Sequence, residues 1–234
     1  FVDIDQEIAY AMKGQKVPEA DTPYHPPAEG GDAQDSSAND HAMEDEAPQS
    51  PAQDNSPSPL KLLEEEEGDS GTTACVVVLT PTRIVCANAG DSRAVLSRHG
   101  HNAVPLSHDH KPDDEPEERR IRAAGGYVAG GRVEGDLAVS RGLGDFRFKN
   151  MQVVMGDTNT MAPGDQKVSP IPDIIVQNRN SEQDEFVIVA CDGIWDVVTN
   201  LECVRALGGL FAEGESDLGL ICEEVRYEVC LSFS

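Results

Sequence analysis

The sequence predicts an α+β fold in which short antiparallel strands come first and helices follow. Two apolar runs, 74–79 and 83–88, flank a Pro-Thr turn, which is typical of a β-hairpin. Two amphipathic segments with helical spacing, 201–211 and 218–231, come later in the chain. Because strands and helices do not alternate, the pattern favours α+β over a parallel α/β sheet.

Further strands follow from apolar runs bounded by turn residues. One strand, 93–98, comes directly after the Gly90-Asp91 turn. Two more are expected over 172–177 and 186–191, where Val and Ile dominate. Residues 146–170 carry no clear period and are expected to be irregular.

Helices are predicted from capping residues and apolar spacing. In the helix expected over 114–124, Asp114 is the predicted N-cap, Glu117 stands three residues later, and Gly125-Gly126 ends it. The hairpin predicted over 127–133 turns at a Gly-Gly pair. Residues 1–13 have apolar side chains at helical spacing and are expected to be part of a helix.

The charge balance excludes several classes of partner. The 234 residues hold 18 Lys and Arg against 43 Asp and Glu, a formal charge of −25. Such a chain repels phosphate backbones and anionic lipid, so we expect neither nucleic-acid nor membrane binding. Divalent cations and basic proteins are the expected partners, and a monomer is the expected state. Six cysteines without a zinc-like spacing favour an intracellular location, in cytoplasm, nucleus or both.

Residues 14–70 differ sharply in composition from the rest. They hold 15 acidic residues, 8 Pro and 2 Lys in 57 positions. Such a segment buries too little apolar area to offset the entropy of ordering, so we expect a disordered acidic insert. The predicted organisation is therefore a helix remnant at 1–13, the insert at 14–70 and a partial folded domain at 71–234.

An apolar strand that stops at an aspartate gives the clearest functional signal. Residues 186–191 run directly into Asp192, and Gly193 then permits a sharp turn. A carboxylate fixed at the rim of a core is a candidate ligand for a hard cation such as Mg²⁺ or Mn²⁺. The alternative is that Asp192 only caps the helix that follows.

Five motifs follow one another along the chain: Asn88-Ala-Gly-Asp-Ser-Arg-Ala-Val95, His108-Asp-His-Lys-Pro112, Gly131-Arg-Val-Glu-Gly135, Leu137-Ala-Val-Ser-Arg-Gly-Leu-Gly-Asp145 and Cys191-Asp-Gly-Ile-Trp-Asp-Val197. Together they resemble the PP2C (PPM) family of metal-dependent protein phosphatases, which dephosphorylate phosphoserine and phosphothreonine. The resemblance covers about residues 71–231, and the preceding acidic insert is similar to that of gamma-type members.

The resemblance implies a fold, a reaction and metal ligands. The fold would be a central antiparallel β-sandwich with helices on both outer faces, incomplete at both ends. The reaction would be hydrolysis of phosphoserine and phosphothreonine proteins by a metal-activated water, in a complete family site that holds two or three Mg²⁺ or Mn²⁺ ions. Asp192 matches a ligand of the metal pair, Asp91 matches a ligand of a third, weaker ion, and Asp196 is expected to help hold that third ion.

Other polar residues of the motifs are expected to serve structure. His108, Asp109 and His110 could suggest a metal cluster, but the resemblance places them in a loop that leads into a helix. Arg141 and Asp145 are expected to pair or to form hydrogen bonds beneath the site.

The sequence also departs from the family pattern. It contains no Asp-Gly-His-Gly-Gly segment, no upstream Glu-Asp with its phosphate-binding Arg, and no Asp-Asn motif after the last helix. Of the aspartate side chains of the two-metal site, Asp192 alone is present, so this chain by itself is expected to be inactive. The alternative is a non-catalytic pseudophosphatase whose acidic segment recruits basic proteins.

Overall fold

The computed structural model describes residues 1–12, 70–156 and 161–231. Its helices are α1 to α6 in chain order: Val2–Met12, Glu115–Ala123, Met151–Val154, Asp192–Trp195, Asn200–Ala212 and Leu218–Leu231. Its strands are β1 to β10: Gly71–Thr72, Ala74–Leu79, Arg83–Ala89, Arg93–Arg98, Asn102–Pro105, Val128–Ala129, Arg132–Val133, Leu143–Gly144, Asp173–Asn178 and Asp184–Ala190.

Two three-stranded antiparallel sheets face each other across a common core. One has the order β2-β3-β9 and the other the order β10-β4-β5. Alternate residues of β3 and β4 point between the sheets, where Ile84 and Cys86 pack with Ala94 and Leu96. Leu106 completes this buried cluster. The predicted α+β fold with antiparallel sheets is confirmed.

Helices α5 and α6 cover the outer face of the β10-β4-β5 sheet. Val95 points outward from β4 and packs with Val204 and Leu207 of α5 and with Ile221 of α6. Helix α5 begins with a capping box. Thr199 Oγ1 accepts from the backbone N–H of Glu202, and the backbone N–H of Thr199 donates to the Glu202 side chain. This helix pair, predicted from its apolar spacing, therefore fixes one side of the sandwich.

The outer face of the β2-β3-β9 sheet is exposed among the residues that the structure describes. Its apolar side chains stand in register across the three strands, with Val76 and Ile174 on either side of Ala87 and with Val78 and Val176 in the next row. Val78 is 52% exposed and Ile174 63% exposed.

Helix α1 is attached to the segment that follows β8 by a buried ion pair. Lys149 Nζ lies 2.8 Å from both carboxylate oxygens of Asp5, and both side chains are almost completely buried. The same ammonium donates to the carbonyl of Gly142, and Asp5 accepts from the N–H of Gly144. The stretch predicted to be irregular thus contains the short helix α3 and the contacts that hold α1.

Most predicted elements have the expected bounds within two residues. The predicted insert at 14–70 lies outside the described residues except for Ser70, so its disorder stays a prediction. No helix in the described parts of the chain is long and apolar enough to cross a membrane.

Candidate active site

Two predicted site residues lie at the same end of the β10-β4-β5 sheet. Ala190, the last residue of β10, pairs with Arg93, the first residue of β4, so Asp192 and Asp91 each lie two residues beyond this pair along the chain. Cys191 is the N-cap of α4 and Asp192 is the first residue inside that helix. The interpretation of Asp192 as a cap is therefore wrong, and its exposed carboxylate is available to solvent.

Asp91 is held in a tight turn and is already paired. Gly90 has a φ of 120°, and a Cβ at this position would lie 2.3 Å from the side chain of Thr73, so only glycine fits. The Asp91 side chain is 5% exposed, and its Oδ2 accepts from Lys111 Nζ at 2.6 Å. The turn predicted from sequence therefore presents an aspartate whose charge is neutralised within the protein.

Arg93 links three segments of the chain around this turn. Its guanidinium donates to both carboxylate oxygens of Asp109 at 2.8 Å and to Asn200 Oδ1 at 2.7 Å. The bidentate pair fixes the orientation of both side chains. The hydrogen bond to Asp109 raises the pKa of Arg93, and the charge of the nearby Asp196 contributes.

Trp195 attaches the short helix α4 to the sheet. Its indole Nε1 donates to the carbonyl of Ala190 at 2.8 Å and to that of Arg93 at 3.2 Å. The Arg93 guanidinium lies 5.3 Å from the centre of the indole ring, within the range of a cation–π contact. Trp195 is buried, and the exposed Asp192 and Asp196 lie on either side of it in the chain.

This end of the sheet thus carries the two cations Arg93 and Lys111 and the four carboxylates of Asp91, Asp109, Asp192 and Asp196. Burial lowers the pKa of Lys111, but the hydrogen bond to Asp91 and the charges of Asp91, Asp196 and Asp109 outweigh it and raise the pKa overall. The excess of negative charge favours divalent cations over anions.

A complete metal centre is not formed by these residues. Within residues 1–12, 70–156 and 161–231, no group of three His, Cys, Asp or Glu side chains is placed to hold one ion. Asp192 and Asp196 fit as ligands because they are exposed oxygen donors, whereas Asp91 is engaged by Lys111. The ligand roles of all three aspartates therefore stay predictions.

His110, in the histidine loop, is buried and contacts its surroundings through both ring nitrogens. His110 is 3% exposed, and its Nδ1 accepts from the N–H of Gly90 at 3.1 Å. Its Nε2 lies 3.2 Å from Asp173 Oδ2. The loop therefore supports the turn that carries Asp91.

A buried ionic network lies beneath the loop and corrects the predicted capping of α2. Asp114 is at the N-cap, but its side chain accepts from the N–H of Lys111 and not from the helix. Glu117, predicted to complete a capping box, is instead buried and accepts from Ser140 Oγ and from the Arg141 guanidinium. Its position on the buried side of α2 makes the ionic role possible.

Sequence reasoning missed the cations of the site. Lys111 contacts the predicted ligand Asp91, Arg93 contacts Asp109, and Asn200 contacts Arg93. Each of the three reads as an ordinary polar residue in sequence. A signal existed for the first two, because both lie within motifs that also contain an aspartate. No local signal points to Asn200, which lies more than one hundred residues from Arg93.

Comparison with known proteins identifies the family of these motifs. The family model described as "Protein phosphatase 2C" matches residues 25–230. "Probable protein phosphatase 2C T23F11.1" of Caenorhabditis elegans is 48% identical over 71% of this chain and 44% of its own length. "Protein phosphatase 2C homolog 3" of Schizosaccharomyces pombe is 49% identical over 58% of this chain and 30% of its own length. This chain therefore spans less than half the length of these curated relatives.

Solved structures agree with this comparison. A phosphatase from a pathogenic strain of Toxoplasma gondii superposes with a TM-score of 0.55 at 29% identity, covering 64% of this chain and 44% of that one. The serine-threonine phosphatase 2C of Toxoplasma gondii gives 0.55 at 24% identity over 72% of this chain and 56% of that one, which supports the fold alone.

Proposed function

Because this chain belongs to the protein phosphatase 2C family, we propose that it is part of a Mg²⁺- or Mn²⁺-dependent protein serine/threonine phosphatase. Its substrates would be proteins that carry phosphoserine or phosphothreonine. The observation that carries the proposal is the grouping of motif aspartates at one end of the β10-β4-β5 sheet, on segments that the family match spans.

The proposed ligands differ in how readily they accept an ion. Asp192 and Asp196 are exposed and held by the packing of Trp195 between them, so they would contact the ion directly. Asp91 would bind the ion only after Lys111 moves away, and the partly exposed Lys111 side chain permits this movement. When bound, such an ion lowers the pKa of a coordinated water and neutralises phosphoryl oxygens.

The other residues of the site position these ligands. Arg93 holds the histidine loop through Asp109 and the start of α5 through Asn200. The indole of Trp195 holds α4 against β4 and β10 through two carbonyls. These contacts fix the carboxylates before an ion arrives, and such preorganisation strengthens binding.

The chain by itself is proposed to be inactive. Two exposed carboxylates cannot complete the oxygen coordination that a pair of hydrated divalent ions requires. The Asp-Gly-His-Gly-Gly segment expected from the family pattern is absent from this sequence. The acidic segment and its proposed basic partners lie outside the described residues and play no part in this argument.

Mn²⁺ binding and turnover by this chain test the proposal. The expected result is measurable Mn²⁺ binding in calorimetry that is weakened at least about 10-fold by Asp192→Asn, since even partners that only support a ligand contribute about 10- to 100-fold. Asp3→Asn is the matched control, because Asp3 is an exposed aspartate on α1. Equal affinity of the two variants would refute the role of Asp192.

Turnover of p-nitrophenyl phosphate with millimolar Mn²⁺ tests the proposed inactivity of this chain. The expected result is no hydrolysis above background by this chain. Clear hydrolysis that disappears in Asp192→Ala would show that the residues present suffice for catalysis, and the proposal of inactivity would be wrong. Absence of both Mn²⁺ binding and hydrolysis would favour a non-catalytic binding protein.

A further inference from the structure

Two cysteine side chains meet inside the β-sandwich. Cys75 lies on β2 and Cys86 on β3, and their sulfur atoms are 3.9 Å apart. Both are free thiols. Neither belongs to the carboxylate site, and their role is not explained by the proposed function.

The strand register explains why the two sulfur atoms are so close. Cys75 pairs with Asn88 and Cys86 pairs with Val77, so the cysteines are diagonal neighbours on the inner face of the sheet. Both side chains pack in the cluster between the two sheets. Cys86 is 1% exposed, whereas Cys75 is half-buried, so small solutes reach Cys75 first.

We propose that Cys75 and Cys86 form a reversible disulfide bond when the protein meets a peroxide. The Cys75 thiolate attacks one oxygen of the peroxide, the O–O bond breaks, and Cys75 becomes a sulfenic acid as hydroxide leaves. The Cys86 sulfur then attacks the Cys75 sulfur, giving up its proton, and the sulfenic oxygen leaves as water. Two thiols are oxidised and one hydrogen peroxide is reduced to two waters.

The surroundings of the two cysteines indicate which one attacks the peroxide and which one resolves the sulfenic acid. The hydrogen bond with Cys86 is the largest cause and lowers the pKa of Cys75, with a smaller contribution from a hydrogen bond with Ser107. Burial and the charge of Asp109 act in the opposite direction, but the pKa is lowered overall. The same contact and burial raise the pKa of Cys86. The thiolate is the reactive form, so Cys75 attacks the peroxide and Cys86 resolves the product.

Closing the bond brings the two sulfur atoms together. A disulfide requires a sulfur separation of about 2.05 Å, so the thiols approach each other by about 1.9 Å. Asn88, opposite Cys75, donates to the carbonyls of Gly90 and His108, the two segments that flank Asp91. Asn88 therefore lies between the cysteine pair and the turn that carries Asp91.

Peptide mapping without reduction tests the proposal. Trypsin cleaves after Lys61, Arg83 and Arg93, so the bond would join the peptides 62–83 and 84–93. Folded protein treated with hydrogen peroxide is expected to lose two of its six titratable thiols and to yield this linked pair. Dithiothreitol should restore both thiols.

Variants separate this bond from general oxidation. Cys86→Ala removes the resolving thiol and should abolish the linked pair. Cys203→Ala removes a different buried cysteine and should leave the linked pair unchanged. The proposal is overturned if peroxide-treated wild-type protein contains no 62–83/84–93 pair, or if that pair forms no faster than in protein unfolded by urea. Mapping the wild type needs no variant to fold.

Discussion

Replacing Lys149 with methionine should remove the buried charge that holds helix α1. The Lys149 ammonium contacts both oxygens of Asp5 and the carbonyl of Gly142, and its side chain is 0% exposed. Methionine keeps most of the volume of the lysine stem, so the change removes the charge without opening a large cavity. Loss of one partner of a buried ion pair costs about 3–5 kcal/mol, because the other charge stays buried and unpaired.

Urea unfolding measures this cost. The only tryptophan, Trp195, is buried and reports unfolding by its fluorescence. With an m-value of about 2 kcal/mol/M, a loss of 3–5 kcal/mol lowers the midpoint by roughly 1.5–2.5 M. The control is Arg119→Met, which breaks an exposed pair with Glu115 on α2 and should cost only about 0.3–0.5 kcal/mol.

A double variant checks the physical reason. Asp5→Asn combined with Lys149→Met leaves no buried charge uncompensated, so its loss should be smaller than the sum of the two single losses. A loss below about 1 kcal/mol for Lys149→Met, comparable with the exposed control, would show that the ion pair does not hold α1. Strict additivity of the two single variants would show the same.

Two further predictions concern stability. Gly208→Ala should lower the free energy of unfolding by about 1–3 kcal/mol in urea, because the new Cβ would lie 2.5 Å from the ring of His101. Gly209→Ala on the same helix is the control, because its new Cβ meets no atom within 4 Å, and it should raise the free energy of unfolding by about 0.5–1 kcal/mol. Equal effects of the two variants would contradict the packing argument. For Glu117, burial raises the pKa, but hydrogen bonds from Arg141 and Ser140 and nearby arginine charges lower it overall. Ionised Glu117 therefore stabilises the fold at pH values above its unfolded pKa of about 4.3, and this stabilisation is lost as the pH falls towards its folded pKa. Glu117→Gln should cost about 1–3 kcal/mol at pH 7 and flatten the decrease in unfolding free energy below about pH 4.3; an unchanged pH profile would contradict this.

The sequence predicted the strands because their signals are local. The hairpin of β2 and β3 follows from two apolar runs on either side of a short turn, and the structure pairs them as Val77 with Cys86. Helix α5 was predicted over 201–211 from its apolar spacing, and the structure gives Asn200–Ala212. The cap of α2 was wrong because Glu117 gains more from Ser140 and the buried arginines than from the helix end.

Strand composition also carried a signal about the second sheet. Apolar residues on both faces of a strand are typical of sheets that are covered on both sides. In β2 every residue from Ala74 to Leu79 is apolar, and in β9 the side chains of Ile174 and Val176 point away from the core. The composition alone cannot tell what covers a face, and within the described residues this face is open to solvent.

The carboxylate site was the hardest part to predict, because ion pairs form between residues far apart in sequence. Motif spacing gave the positions of Asp91, Asp192 and Asp196, but the pairing of Asp91 with Lys111 depends on how two loops meet. An ion that binds Asp91 must first displace an ammonium at 2.6 Å from a mostly buried carboxylate, and this separation costs free energy. Asp192 and Asp196 are exposed, and within the described residues neither has an ion-pair partner that a bound ion would have to displace. They are therefore the members of the predicted ligand set that should bind a divalent ion first.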